Sequence, residues 1–276
     1  MEVTLGWLLL RADLRLNIAK SPDWRIAARS VRGMRFLSVL RRTCVALSLQ
    51  TACSGTIAGL SANTYEWKKS ELPMKRYYIV THGQAQHHID NLVGGWFDSR
   101  LTPKGIEQAQ ALASFFSAQG FAKSPAIYSS DLLRCKETAT IVADALGLEP
   151  SLDARLREMS FGSHEGMDQA LHDSIMKPCA EKPGERMDHA ICDGAETRRQ
   201  FARRIYDFVA TLDAEVVCAI IVTHGFAASF LISALQRVPV ESMAFISFKM
   251  SAGGVSELIE DDLFKNVTLT KLNMQV

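Results

Sequence analysis

The chain has 276 residues, 47% of them apolar and 22% charged, with a net charge of +1, which allows one large domain or two small ones around a sizeable core. That charge conceals a split: residues 1–73 carry 11 Lys and Arg against 5 Asp and Glu, whereas the remainder is net −5. An acidic body without a basic stripe argues against nucleic acid as a partner, and no run of about 18 residues is apolar enough to predict a transmembrane helix.

Residues 1–73 hold eight arginines and three of the four tryptophans but no clean alternation of elements. We expect a poorly ordered extension here. From Met34 the chain reads as basic residues, an apolar middle and then small residues, a pattern similar to a signal or transit segment over 34–62. "LQTAC" ending at Cys53 is a poor lipoprotein-type box, and the alternative is a start at Met74. The six cysteines form no Cys-x-x-Cys pair, so reduced thiols and a cytoplasmic setting are the default expectation. A real targeting segment would move the protein to a periplasmic, lipid-anchored or organellar setting. The histidines show no metal-ligand spacing, and no metal or cofactor is expected.

From Met74 the elements alternate. "RYYIVT" reads as a buried strand, and "LTPKGIEQAQALASFFSAQG" as a helix with Thr102 as N-cap, Pro103 at its first position and Gly120 as its stop. "PAIYSS" is a short strand, followed by a helix opened by Ser130 or Asp131 and closed by Gly147. Residues 195–212 place Phe201, Ile205, Phe208, Val209 and Leu212 on one helical face. "EVVCAIIVT" is a second buried strand, "FAASFLISALQ" a buried helix, and "MAFISF", "GVSELIE" and "NVTLTKL" closing strands. Helices between strands predict an α/β fold with a mostly parallel central sheet covered on both faces.

Two of these strands end in one pentapeptide, Ile79-Val80-Thr81-His82-Gly83 and Ile221-Val222-Thr223-His224-Gly225, 142 positions apart. Both histidines would stand at carboxyl ends of strands, where open α/β sheets place their ligand crevices. Arg134 lies in the first turn of a helix and Glu158 in a loop. Two imidazoles, a guanidinium and a carboxyl group are a kit for phosphoryl transfer. A neutral His is a nucleophile, cations hold the equatorial oxygens, and a carboxylic acid of raised pKa protonates the departing alkoxide.

The surroundings of these residues resemble the histidine phosphatase superfamily, the phosphoglycerate mutase-like proteins. "YYIVTHGQAQHHIDNLVGGWFDSRLTPKGIEQAQAL" is similar, without a gap, to that family's opening. "YSSDLLRCKETATIVADALGL", "LREMSFGSHEG", "DGAETRRQFARRI" and "IIVTHGFAASFL" resemble its later segments, in order, over residues 74–276. The resemblance implies a three-layer αβα sandwich and a phosphohistidine mechanism without a metal. By position it makes His82 the nucleophile, His224 and Arg134 the phosphate-holding groups and Glu158 the proton donor. Thr81, Gly83, Gln84, His88, Gly95 and Gly225 become candidates for substrate binding, the two pentapeptide glycines by letting backbone approach the phosphate.

Three positions depart from the family pattern: Thr81 where Arg is usual, Ala85 for Ser or Thr, and His88 for Asn. Either the pocket has lost its turnover and binds a phosphorylated ligand or partner, or Thr81 supplies a neutral donor and His88 (or His87) a titratable cation. Residues 167–193 form a middle-sized insertion expected to fold as a small cap with short helices, and its Lys177, Lys182 and Arg186 face either solvent or an anionic substrate. The expected function is hydrolysis of a small phosphate monoester, with a phosphoglycerate mutase-type phosphotransferase as a further alternative.

Overall fold

The computed structural model describes residues 74–276; the expectations for residues 1–73 fall outside them. Strands β1 (Lys75–Thr81), β2 (Ala126–Ser129), β3 (Ser151–Leu152), β4 (Cys218–Thr223), β5 (Val255–Glu260) and β6 (Val267–Met274) form one sheet in the order β3-β2-β4-β1-β5-β6. The pairs among β1 to β4 are parallel, whereas β5 pairs antiparallel with both β1 and β6. Parallel neighbours need crossovers, and the helices that supply them cover the faces.

Alternation along β1 divides the core. Tyr78 and Val80 point to one face, against α2 (Pro103–Ser117) and α3 (Leu133–Leu146), whose Leu112, Phe116, Ala139 and Val142 are buried. Tyr77 and Ile79 point to the other, against α6 (Arg198–Ala210) and α7 (Gly225–Leu235) with Phe201, Ile205, Phe230 and Leu231. Tyr78 meets Phe115, Phe116 and Phe121 edge-on at centroid distances of 6.4, 5.3 and 6.3 Å, contacts worth roughly 0.5–1.5 kcal/mol each beyond area burial. Of the eleven residues of α7, nine are buried, as befits a helix apolar all round.

The signals at Thr102, Pro103 and Gly147 act as read, whereas α2 already ends at Ser117, short of Gly120. Thr102 Oγ1 accepts the Gly105 amide and Pro103 opens α2; Gly147 closes α3 in the left-handed conformation, φ 65°. Thr197 and Gln200 make a reciprocal capping box at α6, a cap of about 1 kcal/mol. Two short helices, α4 (Gln169–Ile175) and α5 (Pro183–Met187), lie within the 167–193 insertion. Shorter still is α1 (Gln86–Ile89), which follows β1.

Two readings need correction. α3 opens at Leu132 with no side-chain cap; Ser130 instead receives the Leu132 amide on its hydroxyl, 3.3 Å away. "MAFISF" is no strand. Val240–Ala244 is a 3₁₀ turn followed by irregular chain. Its Met243 and Ala244 are both buried while Phe245 is exposed, which breaks the alternation a strand requires, and both sides of β1 are already taken by β4 and β5.

Candidate active site

The duplicated pentapeptides are strand partners. Ile79 pairs with Ile221, Val80 with Val222 and Thr81 with Thr223. The His82 amide then donates to Thr223 O at 3.0 Å, so register alone delivers both histidines to one end of the sheet. Their ring centroids are 5.1 Å apart at 68°, and both side chains are buried.

The hydrogen bonds of His82 settle its tautomer. Nδ1 stands 2.7 Å from Gly83 O, which only accepts, and Nε2 stands 3.2 Å from Arg134 Nε, which only donates. Nδ1 therefore carries the proton and Nε2 its lone pair. Burial, and after it the Arg134 charge, hold the His82 pKa well below its ordinary value, which keeps that lone pair free of a proton. His224 is likewise held well below, first by burial and then by Arg134. Its Nε2 is 2.9 Å from Ser130 Oγ and 3.4 Å from Cys135 Sγ. Burial pushes the Cys135 thiol pKa up, and the thiol donates to Thr223 O, the role of a packed cysteine rather than a nucleophile.

Arg134 is almost fully buried. Nη1 donates to Phe97 O at 2.8 Å and Nη2 to Gly95 O at 2.7 Å. With Nε on His82, three of a guanidinium's five N–H bonds are placed, leaving one on each Nη for an incoming anion. Gly95 has φ +53°, and a Cβ there would come within 2.7 Å of the Phe161 ring; its part is to bend the chain so that its carbonyl holds Arg134. Glu158 accepts from the Met159 amide on Oε1 and from the Phe226 amide, in the first turn of α7, on Oε2, both at 2.9 Å. Burial raises its pKa, outweighing these amides and the Arg134 charge, which pull it down.

The structure thus brings His82, Arg134, Glu158 and His224 together and redistributes the secondary candidates. Gly83 gives its amide to Thr138 Oγ1, and a Cβ on it would lie 2.4 Å from Gly105 O; its bareness serves the close approach of α2. Gln84 donates its backbone amide to Gln108 Oε1 and accepts the Thr102 hydroxyl on its own Oε1. Thr81 donates to Ser251 O at 2.5 Å and accepts from the Gly254 amide at 3.1 Å, so its hydroxyl proton is committed to the loop before β5. Gly225 opens α7, and a Cβ there would make one ordinary contact, with Met250 at 3.9 Å.

His88 lies over His82, with rings nearly parallel (9°) and centroids 5.7 Å apart. It accepts the Ala85 amide on Nδ1 at 3.2 Å, and partial burial of the ring followed by the Arg134 charge lowers its pKa. His87 is buried against Ser99, with Nδ1 2.6 Å from Ser99 Oγ, and burial brings its pKa to about 3. His87 is therefore corrected out of the role of a cation that titrates between pH 5 and 8.

The sequence reading missed the frame around Glu158. Arg204 pairs with Glu196, at 2.7 Å from Nε to Oε1, and donates to the carbonyls of Arg155, Arg157 and Glu158 at 2.7 Å each. Trp96 Nε1 donates to Glu158 O at 2.8 Å. Glu196 and Trp96 stand inside motifs that carried the family resemblance, but nothing in the spacing ties either to the acid-bearing loop. In the insertion, Lys177 pairs with Asp193 and Lys182 with Glu185, both at 3.0 Å and at the surface; Arg186 makes no such ion pair among the described residues and lines a cavity beside Phe226.

Residues 77–270 match the sequence profile of the histidine phosphatase superfamily (branch 1). The chain belongs to that superfamily. A Hydrogenobacter thermophilus protein provisionally named phosphoserine phosphatase 2 is 32% identical over 72% of this chain and 97% of its own length. A Serratia proteamaculans protein with a provisional phosphoglycerate mutase name is 31% identical over 60% of this chain and 77% of its own. Among solved structures, mycobacterial glucosyl-3-phosphoglycerate phosphatase aligns with a TM-score of 0.58 at 26% identity, covering 72% of this histidine phosphatase superfamily member and 99% of the other chain. Among the described residues no helix is long and apolar enough to cross a membrane.

Proposed function

We propose that residues 74–276 hydrolyse a small phosphate monoester through a phosphohistidine on His82. The observation that carries this reading is the fixed tautomer: with the Nδ1 proton on Gly83 O, the Nε2 lone pair faces Arg134 and His224 in a buried site. In the first step Nε2 bonds to phosphorus, the ester P–O bond breaks, and Glu158 gives its proton to the leaving oxygen. In the second, the Glu158 carboxylate takes a proton from water, the water oxygen bonds to phosphorus, the P–N bond breaks, and phosphate leaves with the lone pair restored to Nε2. The two free N–H bonds of Arg134 and the His224 ring serve the phosphoryl oxygens.

One observation favours a second reading. Thr81 occupies the position of a family arginine, and its hydroxyl proton is turned into the loop before β5, so no charge is restored from that position. Loss of one oxyanion donor costs ~10²–10³ in rate, which would leave a binding protein for phosphorylated ligands. His88, lying over His82 with its Nδ1 taken by the Ala85 amide, compensates in the first reading as a neutral Nε2–H donor rather than as a cation.

Incubation of the full chain with an aryl phosphate, beside His82→Ala, decides between them. Release of inorganic phosphate, with an acid-labile and alkali-stable phosphoprotein that is absent in His82→Ala, supports the enzyme. Phosphate-ester binding with neither product nor phosphoprotein supports the second reading. Transfer of the phosphoryl group to an added alcohol in preference to water would favour the mutase-type alternative.

A further inference from the structure

A cavity of about 240 Å³ lies between the insertion and the first turn of α7, with Phe161, Met176, Arg186, Arg198 and Phe226 among its walls. It adjoins the proton donor proposed above: the Phe226 amide is one of the two that Glu158 accepts, and Met159, which supplies the other, also lines it. Two guanidinium groups enter this one space and no carboxylate lines it. Arg198 donates to Met243 O, and Arg186 to Ala244 O and Ala180 O, all uncharged acceptors. Arg198 also stacks over the Phe226 ring, 4.9 Å from its centroid. Burial and the neighbouring Arg186 charge both push the Arg198 pKa down.

Two like charges in a partly enclosed apolar site repel each other and lose hydration. An anion between them would remove that penalty, and each guanidinium still has N–H bonds to offer it. We infer that this cavity takes the leaving group of the substrate, and that this alcohol carries its own anionic group, a carboxylate or a second phosphate, on a small, partly apolar frame. The volume is below the ~300–1,000 Å³ of pockets that enclose drug-sized ligands, which limits that frame to a compact metabolite. Resting on the phosphatase reading, this assigns specificity to Arg198 and Arg186, which the sequence reading had respectively passed over and left between solvent and substrate.

The test compares 3-carboxyphenyl phosphate with phenyl phosphate on the full chain, read as a ratio of kcat/KM so that general losses cancel. We expect the carboxylated ester to be preferred roughly tenfold or more, as one charge-assisted contact provides. The ratio should fall towards one in Arg198→Gln and be largely kept in Arg198→Lys; Arg186→Gln, on the other wall, should lower it as well and serves if the first variant fails to fold. No preference in the parent chain, or a ratio untouched in both glutamine variants, overturns the inference. If neither ester is turned over, the phosphatase reading falls separately and the same pair is compared by calorimetric binding. Tighter binding of the carboxylated ester, lost in the glutamine variants, upholds the cavity assignment, whereas equal binding overturns it.

Discussion

Thr81 holds Ser251 O and the Gly254 amide on a single hydroxyl, at 2.5 and 3.1 Å, and so ties the end of β1 to the loop that enters β5. The isosteric change Thr81→Val removes the hydroxyl from both backbone groups and leaves them only the 2.9 Å bond from the Gly254 amide to Ser251 O. We expect a loss of about 0.5–1.5 kcal/mol in stability by denaturant titration, with kcat/KM on an aryl phosphate within a few-fold of the parent. A hundredfold loss of activity at unchanged stability would instead put the hydroxyl on the phosphate.

Glu158→Gln should discriminate between leaving groups. With an alkyl phosphate, whose alkoxide needs a proton, kcat should fall ~10²–10⁴-fold; with 4-nitrophenyl phosphate the fall should be much smaller. Because burial raises the Glu158 pKa, the proton-bearing form persists above the usual carboxyl range, and alkyl turnover should decline as pH rises through that pKa. The decline should be missing in Glu158→Gln. Equal losses for both esters would assign Glu158 to holding the α7 end rather than to proton transfer.

Ser130 Oγ lies 2.9 Å from His224 Nε2 and also accepts the Leu132 amide, so it positions the second imidazole. Ser130→Ala should lower kcat on aryl phosphates about five- to a hundredfold, as loss of a buried hydrogen bond of ~1–3 kcal/mol allows. Ser130→Thr should recover much of it. A rise in KM alone, with kcat unchanged, would contradict a role exerted through His224.

The buried histidines make the fold acid-sensitive. A group whose folded pKa is depressed gives stability that is full above its unfolded pKa, ~6.5 for His, and is lost as pH falls towards the folded value. His87, at about 3, and His82 and His224, held well below the ordinary value, all act in this direction. Between pH 6 and 4, each contributes up to ~1.4 kcal/mol per pH unit. In His87→Gln the slope of unfolding free energy against pH should flatten by about one proton; an unchanged slope would mean that His87 is already solvated.

The sequence carried the sheet and its catalytic ends well, because strand runs such as "YYIVT" and "CAIIVT" and helix signals such as Thr102 and Gly147 are local. It also yielded His82, Arg134, Glu158 and His224, which the fold brings together from four separate stretches. It failed where a short polar residue answers to something distant. Thr81 answers to Ser251, 170 positions on, and Gly83 to Gly105 and Thr138; no spacing rule reaches such partners. "MAFISF" failed for the opposite reason, since its apolar content is real but is consumed in a turn packed against α5 and α6.

The in-register pairing of the two pentapeptides also has a meaning for biosynthesis. β1 finds its hydrogen-bonding neighbours only in β4 and β5, so the strand that carries His82 emerges long before anything it can pair with. At synthesis rates of ~5–20 residues per second, "YYIV" waits on the order of ten seconds for Cys218 and its followers. During that wait it is an unpaired apolar segment of the kind that invites aggregation, and a chain released short of β4 would keep it so and have no site at all.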